Sequence, residues 1–288
     1  MTLRRRARAV SPDADVVQRI KRLRSIEAKI RKQGYRLSQI QDIGGCRAVL
    51  PSVAAVDSLA MLYLKSRWDH ELAGAPDDYL RHPATTGYRS FHMVYRYRGA
   101  KREYENLKIE LQMRTRLQHA WATAVETVDM FTAQALKSGA GDPEWLRFFA
   151  LMGSTIAISE ELPLVPGTPD DEDELRKELR ALSTKLNAVA RLRAFGNTIE
   201  FTSEQAMGEF FLMDQDVHND RLIITSYPRG LSELALSEYE KLEVKARDDP
   251  RRDVVLVSAE NTAALRRSYP NYFADTTMFV ELVQEAIR

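Results

Sequence analysis

Three side chains that could act on phosphates, Glu110, Gln112 and Arg114, recur at every second position of one short segment. The intervening positions are apolar: Leu107, Ile109, Leu111 and Met113. A period of two predicts a β-strand with one face in the core and one polar face. The polar side chains would then follow one another at roughly 6 to 7 Å. A base-capable carboxylate, an amide and a guanidinium in one row suit the handling of phosphates, although the solvated face of an ordinary edge strand has the same pattern.

The composition is that of a globular protein. The chain has 288 residues, of which 44% are apolar and 29% charged, with a net charge of +1. This length suits one large or two small domains, and the near-neutral charge gives no overall reason to expect a nucleic-acid or membrane partner. The single cysteine, Cys46, excludes an intramolecular disulfide. No apolar run approaches the roughly 18 to 20 residues of a membrane span, so we expect a cytoplasmic protein that is neither exported nor anchored.

Positive charge is concentrated near the start of the chain. Residues 1–49 hold 13 Lys and Arg against 4 Asp and Glu, an excess of nine. The excess predicts that an anionic group docks near this segment. A disordered basic tail is the alternative for the first four arginines, Arg4, Arg5, Arg6 and Arg8.

The periodicity of the first half of the chain predicts helices and strands in alternation. A helix is predicted over Val16–Lys32, where Lys21, Ser25 and Lys29 would stack on one side because they recur every four residues. A turn and strand are predicted over Asp42–Leu50. The remaining predicted elements are a helix over Val53–Lys65 and a strand over Arg89–Tyr97 that pairs with the Leu107–Arg114 strand as an antiparallel hairpin.

Helices at Arg116–Lys137 and Asp142–Glu161 are predicted next. Three prolines and a glycine within Pro163–Pro169 predict a linker, and Thr168 and Pro169 predict the start of a helix. This helix carries an apolar stripe that ends in Val189, with Leu175, Leu179, Leu182 and Leu186 before it. After Gly196 the pattern predicts a small α/β module with strands at Glu209–Met213, Arg221–Tyr227 and Val254–Val257 and helices at Ser232–Arg247, Thr262–Ser268 and Thr276–Ile287.

Five short motifs follow one another along the first half of the chain. They are Arg19-x-Lys21 with Ser25 and Lys29, Asp42-Ile-Gly-Gly-Cys-Arg47, Asp78-Tyr79, Gly87-Tyr88-Arg89-Ser90-Phe91-His92, and Glu110-Leu-Gln112-Met-Arg114-Thr115. The ordered set resembles the synthetase domain of RelA/SpoT-type alarmone synthetases over roughly Val16–Asp129. That family transfers a pyrophosphate from ATP to the 3′-hydroxyl of GDP or GTP.

The resemblance implies an α+β fold, with a mixed β-sheet flanked by helices and akin to nucleotidyltransferases. Together with the residue pattern, the resemblance predicts a synthetase domain at 1–165 (core motifs 16–129), while the pattern alone predicts a linking helix at 166–197 and a small C-terminal α/β module at 198–288. Long family members carry a hydrolase and ribosome-sensing regions, for which this chain has no room. It is similar to a small, stand-alone synthetase.

Roles for single residues follow from the resemblance together with the chemistry of their side chains. Asp42 and Glu110 offer hard oxygen ligands for Mg²⁺, and Glu110 is also the candidate base for the acceptor hydroxyl. The ATP donor would be bound by Arg19, Lys21, Ser25, Lys29 and Arg47. The acceptor would be bound by Tyr88, whose ring stacks on guanine in the family, and by Arg89, Ser90, His92, Gln112 and Arg114. Residues that close the family's site lie on the helix that follows, at His119, Trp121 and Glu126, although core packing is the preferred role of Trp121.

Some residues depart from the family's pattern. Family members often have a lysine, and an asparagine or serine, shortly before the Gly-Tyr pair, whereas this chain has Pro83-Ala84-Thr85-Thr86. This change bears on the acceptor more than on the donor. The chain also has less sequence before its first motif than the family usually has, which could impair activity.

Two other functions therefore stay open. The first is a toxin of the same superfamily that pyrophosphorylates tRNA 3′ ends or adenine nucleotides, with the C-terminal module as a regulator or antitoxin-docking surface. The second is a catalytically silent protein that senses nucleotides. Relatives of this size often form homodimers or homotetramers, and the Leu175–Val189 stripe suits either such an interface or intramolecular packing. A polar cluster at 214–220 is expected to form a hairpin turn rather than a metal site.

Overall fold

The structure is a computed structural model of the chain. It describes residues 3–20, 26–27, 30–31, 34, 40, 43–66, 69–99, 104–132, 136, 139–195, 198–201, 209–219, 221–247, 249 and 251–288, without the side chains of 19–20 and 198–201. Among the helices in these ranges, none is long and apolar enough to cross a membrane.

Ten strands of the described chain form one large sheet: β1 Asp15–Ile20, β2 Gly44–Leu50, β3 Glu71–Leu72, β4 Asp77–Asp78, β5 Phe91–Arg96, β6 Lys108–Thr115, β7 Thr198–Phe201, β8 Phe210–Asp216, β9 Arg221–Tyr227 and β10 Arg252–Ser258. Their order in the sheet is β3-β5-β6-β2-β1-β10-β8-β9-β7, and β4 pairs with β5. The helices are α1 Leu3–Val10, α2 Val53–Leu64, α3 Arg116–Thr132, α4 Pro143–Ser159, α5 Glu172–Leu186, α6 Ala188–Ala194, α7 Ser232–Ala246, α8 Thr262–Ser268 and α9 Thr277–Ala286, with a 3₁₀ turn at Arg229–Leu231. The predicted α+β fold with a mixed sheet flanked by helices is confirmed.

The chain forms two compact units that interleave in sequence. The first consists of Met1–Asp77, Phe91–Met113 and Ile199–Ser268, and the second of Asp78–Ser90, Arg114–Thr198 and Tyr269–Arg288. This grouping differs from the predicted division at residues 165 and 197. The difference arises because strands from both halves of the sequence pair within one sheet.

In the first unit, the predicted helix over Val16–Lys32 is wrong at residues 16–20, which form β1. This strand pairs antiparallel with β2 on one side, where Val17 lies opposite Arg47, and with β10 on the other, where Arg19 lies opposite Val257. Three of its six residues are β-branched and fit a pleated surface well. Pairing with distant strands therefore outweighs the local helical spacing, whereas residues 26–27 and 30–31 are helical.

The C-terminal strands continue this sheet and do not make a separate module. All seven residues of β10 pair with β8, which pairs in turn with β9 in an antiparallel hairpin. Helix α7 packs on these strands through Ala235, Tyr239 and Ala246. The module prediction is wrong because β10 pairs directly with β1, so residues 210–258 extend the same sheet.

The basic start of the chain is also ordered, so the alternative of a disordered tail is wrong for residues 3–10. They form α1, and the guanidinium of Arg6 lies 4.5 Å from the centre of the Tyr63 ring and donates a hydrogen bond to the carbonyl of Leu62. Arg8 pairs with Glu260 at 2.6 Å. The cation–π contact and the ion pair tie this helix to the first unit.

One residue of β8 offers a direct test of the packing of this sheet. Gln215 is fully buried, and neither its Oε1 nor its Nε2 has a hydrogen-bond partner in the described part of the chain. A buried amide without partners costs about 1–3 kcal/mol. We therefore expect Gln215→Met, which keeps a similar volume, to raise the free energy of unfolding by roughly 1–2 kcal/mol in a urea titration. A loss of stability would show that the amide is satisfied in solution.

In the second unit, helices pack around an aromatic core. Trp145, Phe148, Phe149 and Phe279 have ring centres 5.5 to 6.3 Å apart and are fully buried or nearly so. Helix α4 begins as predicted, because Asp142 accepts hydrogen bonds from the first amides and Pro143 occupies the first turn. These features fix the start of α4.

Helix α5 also belongs to this core, and its apolar stripe packs within the chain. Leu175, Leu179 and Leu186 are buried in the aromatic core of the second unit, as the intramolecular alternative requires. The helix begins at Glu172 with Asp171 as its cap, so the predicted start at Thr168 and Pro169 is wrong by a few residues. The side chain of Asp171 accepts a hydrogen bond from the amide of Glu174. Thr168 lies too far before the first turn of the helix to make this capping bond.

Candidate functional site

The predicted hairpin is formed by β5 and β6. The strands are antiparallel, with His92 opposite Gln112 and Val94 opposite Glu110. Burial alternates along β5, where Phe91, Met93 and Tyr95 are buried and the residues between them are partly exposed. The two strands therefore present one polar face, as their alternating sequence predicts.

On this face the carboxylate of Glu110 is held between two side chains. Nε2 of Gln112 donates a hydrogen bond of 2.7 Å to Oε2 of Glu110. Nδ1 of His92 lies 3.0 Å from Oε1 of the same carboxylate, a contact that needs the ring proton on Nδ1. The side chains of His92 and Glu110 are 12% and 15% exposed. A partly exposed carboxylate with a fixed orientation is suited to accept a proton or to bind a cation.

Arg47 of the neighbouring strand β2 extends this row. Its Nε lies 3.5 Å from Oε1 of Gln112, at the outer limit of a hydrogen bond. Gln112 therefore lies between a guanidinium and a carboxylate and orients its amide toward both. We define the polar face as Arg47, His92, Glu110 and Gln112, all of which belong to the first unit.

Four predicted site residues, Lys21, Ser25, Lys29 and Asp42, lie outside the described residues. Arg19 lies in β1, but its side chain is also outside the description. The predicted donor site and the second predicted metal ligand therefore remain predictions, apart from the placement of Arg47.

In the second unit, Tyr88 lies in an aromatic environment. Its ring centre is 5.8 Å from that of Tyr79 and 6.5 Å from that of Trp121, with both neighbours oriented edge-on. Tyr88 stays partly exposed, whereas Trp121 is buried and donates from Nε1 to the carbonyl of Phe149 at 2.8 Å. Core packing, the preferred role of Trp121, agrees with this position. The edge-on neighbours brace the Tyr88 ring.

Three predicted acceptor ligands, Arg89, Ser90 and Arg114, are buried, at 2%, 0% and 4% exposure. The guanidinium of Arg89 donates to the carbonyls of Leu80, at 2.6 Å, and Pro163. Burial lowers the pKa of Arg89 to about 10, so this residue is still charged at neutral pH. Arg89 therefore joins two backbone segments and does not face a ligand. Strand alternation does not predict this, because it cannot tell which side chains a neighbouring segment covers.

Arg114 is likewise directed into the second unit. Its Nη2 contacts Nδ1 of His119, which is itself buried. If the guanidinium donates, the ring nitrogen accepts, and the proton of a neutral His119 lies on Nε2. The contact places both residues in the packing of α3, and the predicted role of Arg114 in acceptor binding is not supported by its position.

Gln118 and Glu160 form a polar contact that was not predicted from the sequence. Thr115 and Gln118 cap α3 reciprocally, since the amide of Thr115 donates to Oε1 of Gln118 and the amide of Gln118 donates to Oγ1 of Thr115. Nε2 of Gln118 donates to Glu160 at 2.7 Å. The Thr-x-x-Gln spacing is a capping-box signal that could have identified Gln118. Nothing in the local sequence indicates Glu160, which is 42 residues further on.

Glu160 should make stability depend on pH. Burial raises the pKa of this carboxyl, against the opposing effects of hydrogen bonds from Thr115 and Gln118 and the charge of Arg89. The folded protein therefore holds the proton more tightly than the unfolded chain does. The contribution of Glu160 to stability is complete below the unfolded carboxyl pKa and falls as pH rises through the folded pKa. In Glu160→Gln, urea unfolding at a series of pH values from about 4 upward should show less loss of stability with rising pH than the wild type, and parallel curves would contradict this.

Residues 217–219 of the polar cluster form a turn, as expected for this part of the sequence. Oδ1 of Asp216 accepts hydrogen bonds from the amides of His218 and Asn219. Asp214 instead forms a two-point pair with Arg252, at 2.9 and 2.7 Å. Within the described ranges, no group of three or more His, Cys, Asp or Glu side chains is arranged to hold a metal ion.

The chain thus has an α+β fold in which one polar strand face combines a carboxylate, an amide, an imidazole and a guanidinium. Residues 18–130 match the region found in RelA/SpoT proteins. We call residues 18–130 the RelA/SpoT-type region, and both strands of the hairpin and Tyr88 lie within it. No curated protein matches the chain.

Several solved structures are similar to part of this chain. A GTP pyrophosphokinase family protein from Streptococcus pneumoniae is 23% identical, with a TM-score of 0.44 over 59% of this chain and 78% of that one. Small alarmone synthetase 2 from Bacillus subtilis is 21% identical, with a TM-score of 0.44 over 51% and 76%. Small alarmone synthetase 1 from Bacillus subtilis, bound to its product pppGpp, is 22% identical, with a TM-score of 0.39 over 62% and 76%.

Proposed function

We propose that this protein is an ATP-dependent pyrophosphokinase that transfers the β,γ-pyrophosphate of ATP to the 3′-hydroxyl of GDP or GTP and so makes the alarmone (p)ppGpp. The observation that carries the proposal is the Glu110 carboxylate, held by His92 and Gln112 on a polar face within the RelA/SpoT-type region. A solvated edge strand would not need a carboxylate oriented by two partners.

In the proposed reaction, the acceptor 3′-oxygen attacks the β-phosphorus of ATP. A bond forms between these two atoms, and the bond between the β-phosphorus and the oxygen that bridges to the α-phosphate breaks, so AMP leaves. Glu110 accepts the proton of the hydroxyl. Gln112 and His92 orient the carboxylate for this step, because each contacts a different oxygen of Glu110. Catalysis of phosphoryl transfer depends mainly on such positioning and on charge stabilisation.

Binding of the two nucleotides requires cations for the donor and a planar side chain for the acceptor base. We propose that Arg47, which is 9% exposed and contacts Gln112 on the polar face, binds the triphosphate together with Arg19, Lys21, Ser25 and Lys29. Tyr88 offers its partly exposed ring for stacking on guanine. Base–aromatic stacking is worth about 1–3 kcal/mol.

The proposed reaction also calls for Mg²⁺, and the chemistry of the described face fits this ion. Mg²⁺ in nucleotide sites is held by one or two carboxylates together with substrate phosphates and water. Glu110 supplies one partly exposed carboxylate, and we propose Asp42 as the second. The ion would neutralise charge on the transferred pyrophosphate.

The test is transfer of label from γ-³²P-ATP in the presence of Mg²⁺ to one of four acceptors: GDP, GTP, ADP or deacylated tRNA. Label in a guanosine product is the expected result. Label only in tRNA or in adenine nucleotides would overturn the choice of acceptor and favour the toxin alternative. Absence of label in every acceptor would contradict the proposed activity and favour the silent nucleotide sensor.

A further inference from the structure

We propose that Gly153 of helix α4 is a positioning residue for the acceptor, because it seats the loop that carries Tyr88. We call residues 78–90 the acceptor loop. The inference rests on the proposed function in one respect, the stacking of Tyr88 on the acceptor base. Gly153 lies beyond residues 18–130, the part of the chain that matches the RelA/SpoT region.

The loop and the helix touch through two glycines. A Cβ atom on Gly153 would lie 2.9 Å from Cα and 3.1 Å from the carbonyl oxygen of Gly87. Distances under 3.0 Å are too short for a real Cβ, and here the nearest atom is backbone, which cannot rotate away. The contact therefore requires glycine at position 153.

Gly87 is constrained from the other side of the same contact. Its φ of +95° is one that side chains rarely allow, and a Cβ there would lie 2.9 Å from the carbonyl oxygen of Phe149 and 3.0 Å from the Trp121 ring. Tyr88 is the next residue in the chain. A displacement of Gly87 therefore displaces Tyr88 relative to Trp121, which lies outside the loop and whose ring contacts that of Tyr88.

Further hydrogen bonds fix the loop near this contact. Arg89 joins the carbonyl of Leu80 in the loop to that of Pro163. The segment after α4 is held in turn by Ser154, whose Oγ accepts from the amide of Val165 at 2.9 Å. Val165 is buried and would lie 3.2 Å from a Cβ on Gly153. Pro163, in the segment predicted as a linker, thus holds Arg89 of the acceptor loop, and Val165 of the same segment packs at Gly153.

Glycine is also a poor choice for the interior of a helix. Alanine is the better helix former, so a glycine at this position without another role should be replaceable with no loss. The contact with Gly87 explains why a glycine is needed at position 153. Gly153→Ala should improve the helix itself and at the same time push the acceptor loop away, and these two effects can be measured separately.

The test compares Gly153→Ala with the wild type and with Gly230→Ala as a matched control. A Cβ atom on Gly230 would have no atom of the described chain within 4 Å, and the residue lacks a left-handed φ, so alanine should be tolerated there. For Gly153→Ala we expect at least a tenfold rise in the KM for GDP, with the KM for ATP changed less than threefold. Loss of a base–aromatic stack weakens binding by roughly 5- to 150-fold, and the expected rise in the KM for GDP lies within this range.

Hydrogen exchange supplies a readout independent of activity. Amides of the acceptor loop, including those of Tyr79 and Gly87, should exchange faster in Gly153→Ala, with exchange in β5 and β6 unchanged. A KM for GDP and loop exchange both equal to those of the wild type would overturn the proposal. If the wild type transfers nothing to GDP or GTP, the proposed function fails, and exchange alone then decides whether Gly153 seats the loop.

Ser154→Ala keeps the test decisive if Gly153→Ala does not fold. It removes the hydroxyl that anchors Val165 without adding volume, so a smaller change in the same direction is expected, with a two- to fivefold rise in the KM for GDP. An equal rise in the KM for ATP would overturn the proposal, because it would indicate a general disturbance of the fold.

Discussion

Glu110→Gln is expected to lower kcat for pyrophosphate transfer by a factor of about 10² to 10⁴, the range of a general base. The variant keeps the size of the side chain and leaves an amide oxygen that can still accept from Gln112. It removes the negative charge that would bind the acceptor proton and Mg²⁺. Initial rates of label transfer to GDP at saturating nucleotide give kcat directly, and thermal unfolding shows whether the fold is kept.

A matched control for this variant is Glu105→Gln. Glu105 precedes β6, and its exposed carboxylate pairs with Arg98 at 2.7 Å. Loss of an exposed ion pair costs little, so kcat should stay within twofold of the wild type. If Glu110→Gln kept its activity within tenfold of the wild type, Glu110 could not be the base, and the proposed mechanism would have to be given up.

Tyr88→Ala is expected to raise the KM for GDP by roughly 5- to 150-fold, which corresponds to the 1–3 kcal/mol of a base–aromatic stack. Tyr88→Phe keeps the ring and its edge-on contacts with Tyr79 and Trp121, so its KM for GDP should stay near that of the wild type. Neither variant should change the KM for ATP. The two KM values, measured for both variants in the same transfer assay, separate stacking from a general loss of binding.

The pattern across the pair of variants decides the role of Tyr88. An equal rise in the KM for GDP in Tyr88→Ala and Tyr88→Phe would assign the effect to the hydroxyl group and contradict stacking. An unchanged KM for GDP in Tyr88→Ala would exclude the ring from the acceptor site. Tyr104→Ala is a suitable control because Tyr104 is 44% exposed and lies in the connection between β5 and β6.

Local sequence patterns predicted those elements whose partners are close in sequence. The alternation of apolar residues in β5 and β6 predicted both the strands and their pairing, since a connection of this length permits only a hairpin. The prediction for residues 16–20 was wrong because β1 pairs with Val257 and its neighbours, which are far away in the sequence. No local period carries information on such a partner. The same long-range pairing explains why the C-terminal strands are not a separate module.

In the candidate site too, local patterns predicted some residues correctly and failed where a distant segment decides. Spacing and residue type identified His92, Glu110 and Gln112, and the structure brings these three together on one face. Arg89 has an equally suggestive position in its motif, yet it is buried and bonded to backbone carbonyls. A sequence pattern shows which side chains share a face, but not which of them another segment covers. Gly153 was not predicted for a related reason, because its constraint comes from the backbone of Gly87.

The most direct test of the central claim is the fate of the adenine nucleotide. Wild-type protein is incubated with Mg²⁺, GDP and ATP labelled at the α-phosphate, and the products are separated and counted. Pyrophosphate transfer predicts AMP in a one-to-one ratio with the new guanosine product, and no AMP when the GDP lacks its 3′-hydroxyl. Accumulation of ADP in its place would mean that a single phosphate is transferred, and would contradict the proposed function.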